Sequence, residues 1–168
     1  MRKALLAMML FALFLAGCGT DVPTAEMPED FSFSLRWGVI GIHYYDSVSG
    51  LLVKSGAEPD KDAYRTTLIP DEELLKAAWA AVSSLDWEKY TEEYNPNPDE
   101  MTSPSATIIL SVTENGREHS VRCPGISLSY SSADRDGQAF LDVVRELEQL
   151  LISTPEWEMM PDYTVYFD

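Results

Sequence analysis

The tightest local constraint in this 168-residue chain is the dipeptide Asn115-Gly116. It interrupts two runs of strand character, residues 106–113 and 117–123. Both residues tolerate positive φ, which a two-residue turn between antiparallel strands demands. The spacing therefore predicts a β-hairpin, and the rest of the fold has to supply a sheet and a cover for its apolar face.

More strand signal lies upstream. Phe31, Phe33, Leu35 and Trp37 alternate with Ser32, Ser34 and Arg36, the period of a strand with one buried face. The alternation predicts a strand that runs on to Tyr45, with Gly38 and Gly41 marking a bend or bulge. Residues 46–50 read as a turn, 51–54 as a second strand, 55–62 as a polar loop and 63–69 as a third strand. Pro70-Asp71-Glu72-Glu73 opens a helix. Proline suits its first turn, and the acids favour the positive end of the helix dipole. Leu74, Leu75, Ala78, Trp79 and Val82 form its apolar face, and it should end near Leu85.

A short segment holding Trp87 and a long Pro-rich loop, residues 91–104, lead to the hairpin. Ile126, Leu128 and Tyr130 suggest another strand. Phe140, Leu141, Val143, Val144, Leu147, Leu150 and Leu151 mark a second, stronger helix, with Pro155 past its end. Tyr163, Val165 and Phe167 suggest a terminal edge strand. The expected order is βββα-βββα-β. Asp86-Trp87-Glu88 and Glu156-Trp157-Glu158 follow the two helices, as two copies of one βββα unit would place them. The fold class is α+β: an antiparallel sheet of five to seven strands with two amphipathic helices on one face. With 45% apolar residues the chain can bury such a core.

The amino terminus has a different character. Arg2 and Lys3 precede 13 uncharged residues, 4–16. A helix of that length spans only ~20 Å, short of a ~30 Å hydrocarbon core. It reads as the apolar region of a secretory signal. The run ends in Leu15-Ala16-Gly17-Cys18, which resembles the bacterial lipobox at all four positions. The resemblance implies cleavage between Gly17 and Cys18, a diacylglyceryl group on the Cys18 thiol, and often acylation of the new amino terminus. The expected organisation is a signal peptide at 1–17, a lipidated cysteine and Pro-containing tether at 18–30, and a single α+β domain at 31–168.

Segments along the mature chain are similar to a group of uncharacterised lipoproteins from Gram-positive bacteria. They are Phe33-Ser34-Leu35-Arg36-Trp37, Tyr45-Asp46-Ser47, Ser84-Leu85-Asp86, Tyr94-Asn95-Pro96, Ser103-Pro104-Ser105 and Thr154-Pro155-Glu156-Trp157. The resemblance implies a compartment and no chemistry. That compartment is the outer face of the bacterial cytoplasmic membrane, or an outer membrane in a two-membrane host.

Charge narrows the partners. Lys and Arg number 12 against 28 Asp and Glu, a net −16. Loss of Arg2 and Lys3 with the signal takes this to −18. This argues against nucleic acid as a partner, because phosphate binding needs clustered cations. An anionic leaflet also repels the domain, so the lipid must hold it to the membrane.

Catalytic patterns are weak. His43 and His119 are the two histidines. His119 neighbours Ser120 on a strand, where adjacent side chains point to opposite faces and cannot act as base and nucleophile. Cys123, the one thiol left after lipidation, reads as a buried structural cysteine and not a redox one. Ser132-Ala133-Asp134-Arg135-Asp136-Gly137 has the start of a calcium loop, but its twelfth position is Val143 and not Glu. It reads as a turn and helix cap. No cofactor or metal motif is expected.

Trp87, Tyr90 and Tyr94 flank the Pro-rich loop and are the expected recognition surface. The expected function is a non-enzymatic, membrane-tethered module that binds another envelope protein or a ligand. A carbohydrate- or peptide-binding lipoprotein and a small envelope hydrolase are the alternatives.

Overall fold

The computed structural model describes residues 26–55, 64–98, 103–126 and 131–161. It is an α+β fold in which one six-stranded antiparallel sheet is covered on one face by helices. The strands are β1 (Ser32–Trp37), β2 (His43–Asp46), β3 (Leu51–Lys54), β4 (Tyr64–Thr67), β5 (Ala106–Glu114) and β6 (Arg117–Ile126). Their order across the sheet is β4-β3-β2-β1-β5-β6. The helices are α1 (Glu72–Val82), α2 (Arg135–Ile152) and the short α3 (Pro155–Met159), with a 3-10 turn at Trp87–Lys89.

The described order is therefore four strands and a helix, then two strands and two helices. The added helix α3 is one departure from βββα-βββα-β, and the strands depart from it at two places. First, residues 31–45 are two strands and not one bent strand. The reversal uses three residues with positive φ, Gly38 at 86°, Ile40 at 50° and Gly41 at 69°. A Cβ on Gly38 would also lie 2.9 Å from the His43 ring. Trp37 and His43 consequently pair across β1 and β2.

Second, β6 runs past Cys123 to Ile126. Ala106 pairs with Ile126 and Thr107 with Pro124, so Gly125 is the extra residue of a bulge. Ile126 thus ends β6 instead of starting a new strand. Leu128, Tyr130 and the suggested strand at 163–167 lie outside the described residues.

The Asn115-Gly116 hairpin forms as its sequence demands, with φ of 50° and 72°. Asp71 caps α1 by accepting a 2.8 Å hydrogen bond from the Leu74 amide. Pro70 stands one residue before that cap and not in the first turn. Asp134 caps α2 through the Gly137 amide at 2.8 Å. Thr154-Pro155 ends α2 and at once starts α3, with Thr154 as its cap.

The core joins Phe33, Leu35 and Trp37 of β1, Tyr45, Leu52, and Ile108, Leu110 and Val112 of β5 to Trp79 and Val82 of α1 and Phe140, Val144 and Leu147 of α2. Among the described residues its buried members run from Phe31 to Met160. Among the described residues no helix is long and apolar enough to cross a membrane.

α3 closes one corner of the core with an aromatic and basic cluster. Trp157 stacks on Trp37 at 5.6 Å and meets His43 edge-on at 5.1 Å. The Lys54 ammonium lies 5.1 Å from the Trp157 ring centre and donates to the Met160 carbonyl at 3.3 Å. Burial first, and the Lys54 charge second, lower the His43 pKa to about 4. His43 accepts the Ser55 amide at Nδ1, as a neutral ring can.

Two predictions follow from this interior. Unfolding returns His43 to its ordinary pKa near 6.5, so the unfolded chain binds a proton that the folded chain refuses between pH 6.5 and 4. The contribution is complete above pH 6.5 and is lost as pH falls through that window, up to about 3 kcal/mol. Urea titrations from pH 7 to 4 should show this slope in the parent and its loss in His43→Gln. Cys123 is fully buried and burial pushes its thiol up to about 12. In the chain from Gly19 onward it should resist iodoacetamide in the native state at pH 8 and be alkylated within minutes in denaturant.

Candidate functional site

The β5–β6 hairpin extends beyond the helical layer. Its positions on the helix side alternate as Ile108, Leu110, Val112 and then Glu114 on β5, and as Cys123, Val121, His119 and Arg117 on β6. Apolar side chains occur where helices cover the sheet, and polar ones where the cover ends. The 3-10 turn after α1 brings Trp87 over this last stretch. The result is an open hollow of about 460 Å³, lined by Asp86, Trp87, Glu88, Glu114, Arg117 and His119 together with Leu85 and Asn115.

Trp87 and His119 stack with ring centres 5.0 Å apart and planes 9° from parallel. His119 Nε2 lies 3.5 Å from a Glu114 carboxylate oxygen. The site thus offers an indole, an imidazole, three carboxylates and one guanidinium. Such a set can hold a polar group against an aromatic face. Ser120, next to His119 in sequence, points to the opposite sheet face and shares a 2.9 Å hydrogen bond with Ser111. The strand's alternation thus separates that serine from the imidazole and its carboxylate.

The hairpin turn that lends Asn115 to the hollow is joined to the N-terminal segment. Asp30 accepts hydrogen bonds from the Asn115 amide at 2.8 Å and the Gly116 amide at 2.6 Å. Those amides hold the Asp30 carboxyl below its ordinary pKa, the Gly116 amide most strongly. Met27 packs against the core. Residues 26–30, expected as the end of a free tether, are therefore docked on the domain. No sequence signal marks this pairing, because Asp30 and the turn are 85 residues apart.

Of the three expected recognition residues, Trp87 lines the hollow, and Tyr90 and Tyr94 do not. Tyr90 meets Trp87 edge-on at 6.4 Å, and Tyr94 meets Tyr90 edge-on at 5.2 Å. Both tyrosines pack on Phe140 of α2. The Tyr90 hydroxyl donates to the Asp136 carbonyl at 3.0 Å, and the Tyr94 hydroxyl to the Asp134 carboxylate at 3.2 Å. Burial first, then the Asp134 charge, pushes the Tyr94 phenol up to about 12.

Residues 92–94 are also bound to β6. Tyr94 donates its amide to Arg122, Arg122 donates its amide to Glu92, and the Arg122 and Glu93 side chains pair at 2.9 Å. These contacts fasten the start of the Pro-rich loop over an outer strand, where it shields an open sheet edge. The expected surface thus separates into one accessible aromatic and two fastenings.

Asp134, from the calcium-like segment, caps α2 and receives Tyr94. Among the described residues no group of three or more His, Cys, Asp or Glu side chains is placed to hold a metal ion. Compared with protein-family models and with curated proteins, the sequence matches none.

Proposed function

We propose that the protein is a lipid-anchored, non-enzymatic binding module outside the bacterial cytoplasmic membrane, and that the Trp87 hollow receives a neighbouring envelope protein. The observation that carries this reading is the pair of hydrogen bonds from Asn115 and Gly116 to Asp30. They fix the hollow to the segment that leads back to Cys18. The 12 residue steps from Cys18 to Asp30 span at most ~40 Å even when fully extended. Anchoring at Cys18 therefore keeps the hollow close to the lipid surface and raises its local concentration beside membrane partners.

The lipobox residues Leu15-Ala16-Gly17-Cys18 and the short apolar run before them support the anchor. The distance of Ser120 from the His119–Glu114 pair supports binding over hydrolysis. A second reading, a sugar or peptide ligand in the same hollow, is favoured by the partly exposed Trp87 beside carboxylates and a guanidinium.

Cys18→Ala should abolish diacylglyceryl labelling and leave the uncleaved mass. Labelling and mature mass equal to the parent would refute the anchor. For the hollow, full-length protein crosslinked in intact cells is compared with an unrelated domain on the same first 30 residues. The parent should give an adduct absent from that control, and Trp87→Ala should lower its yield about tenfold. An adduct pattern matching the control would overturn the binding reading. An unchanged yield from Trp87→Ala would remove the hollow from it.

A further inference from the structure

A second concave surface lies at the other end of α1. The first turns of α1, the β4–α1 connection, the end of α2 and the start of α3 enclose an open groove of about 520 Å³. Its apolar lining includes Leu68, Ile69, Leu74, Ala77, Leu150 and Pro155. Ile69 is 68% exposed at its rim. Met159, 76% exposed, lies one turn beyond Pro155 on the same side of α3. Single exposed apolar residues are ordinary on protein surfaces, but Ile69 here lines a groove with five other apolar residues.

Charge decides what fits. The lining carries the carboxylates of Asp71, Glu73 and Glu156 and no Lys or Arg. All three sit at helix starts, where the backbone contributes about half a positive charge per helix. The starts of α1 and α3 thus offset at most about one of the three negative charges. Asp71 is engaged in capping, whereas Glu73 stands exposed on the rim and Glu156 lines the groove half-buried. A second copy of this acidic chain is repelled, and so is an anionic membrane. A cationic partner is attracted.

We propose that this groove docks a basic amphipathic helix of a partner protein. Apolar side chains spaced at i, i+3 or i+4, and i+7 would seat on Leu74, Ala77 and Leu150, as in other helix-in-groove complexes. Flanking Lys or Arg side chains would reach Glu73 and Glu156. The groove is separate from the Trp87 hollow, and its occupancy does not depend on the lipid anchor.

The probe is a fluorescently labelled synthetic 14-residue helix with Leu at the stated spacing and Lys elsewhere. It is titrated with the chain from Gly19 onward in about 150 mM salt, where long-range attraction is screened. Thermal melts establish that each variant is folded. Ala77→Arg, which fills the groove and adds a like charge to the peptide's, should weaken binding about tenfold or more. Charge reversal of the acids, Glu73→Lys with Glu156→Lys, should do the same while leaving the apolar lining of Leu74, Ala77 and Leu150 in place. Glu88→Lys, in the other hollow, should stay within about twofold of the parent.

Equal loss in Glu88→Lys would mean binding by general charge and would overturn the proposal. So would equal affinity for a scrambled peptide of the same composition, or undiminished binding by both groove variants.

Discussion

The pairing of β1 with β5 holds the molecule together. β1 is the first strand of a four-strand meander, and β5 is the first of a separate hairpin. Leu35 lies opposite Leu110 and Phe33 opposite Val112, all four buried on the helix side. A slip of one residue would turn this entire apolar set toward solvent. The pairing is non-local, since more than 60 residues separate the partners in sequence. Its register is fixed by the alternation on both strands and by the helices that need that face. Truncating Leu35 at the centre of this seam would remove a fully buried side chain, a change that ordinarily costs about 2–5 kcal/mol.

The same seam explains where polar chemistry can stand. Polar side chains replace apolar ones on the helix side of β5 and β6 toward the Asn115-Gly116 turn. The long hairpin extends beyond the helices on one side, where Arg117 is exposed, Glu114 and His119 are half-buried, and Trp87 stacks on His119. On the other side the start of α1 and the end of α2 meet the β4–α1 connection and leave the acid-rimmed groove. Among the described residues no helix covers the opposite sheet face, which carries Ser32, Ser34, Ser111, Thr113 and Ser120, the polar half of each alternation. Tyr44 sits there beneath the Arg36 guanidinium at 4.8 Å.

Local signals made much of this legible. The Asn-Gly turn, the Phe-Ser-Phe-Ser-Leu alternation and the two helical faces were each decided by neighbours in sequence. The β1–β2 reversal was hidden because residues 39, 40 and 42 are Val, Ile and Ile, which read as continuing strand. A β-branched residue at φ 50°, as at Ile40, is an arrangement that propensity argues against. Pro155 marks the end of α2 in the sequence, but Thr-Pro-Glu also suits a helix start. Tyr90 and Tyr94 carried no mark that distinguishes recognition from fastening. Their partners Asp134 and Asp136 lie 40 or more residues away, and the contact exists only once α2 has docked.

α1 also sets the polarity of the whole domain. Its first turns line the groove, and the turn after its last residues lines the Trp87 hollow, so the two concave surfaces are at opposite ends of one rod. Eleven helical residues separate them by roughly 16 Å along the axis. Asp30 fixes the N-terminal segment at the hollow end. Under the proposed anchoring at Cys18, the hollow is then the membrane-facing end and the groove the end turned toward the aqueous phase. An acidic domain held by lipid near an anionic surface is pushed outward by its own charge. That repulsion acts along the tether and favours the orientation in which the groove is open to partners arriving from outside.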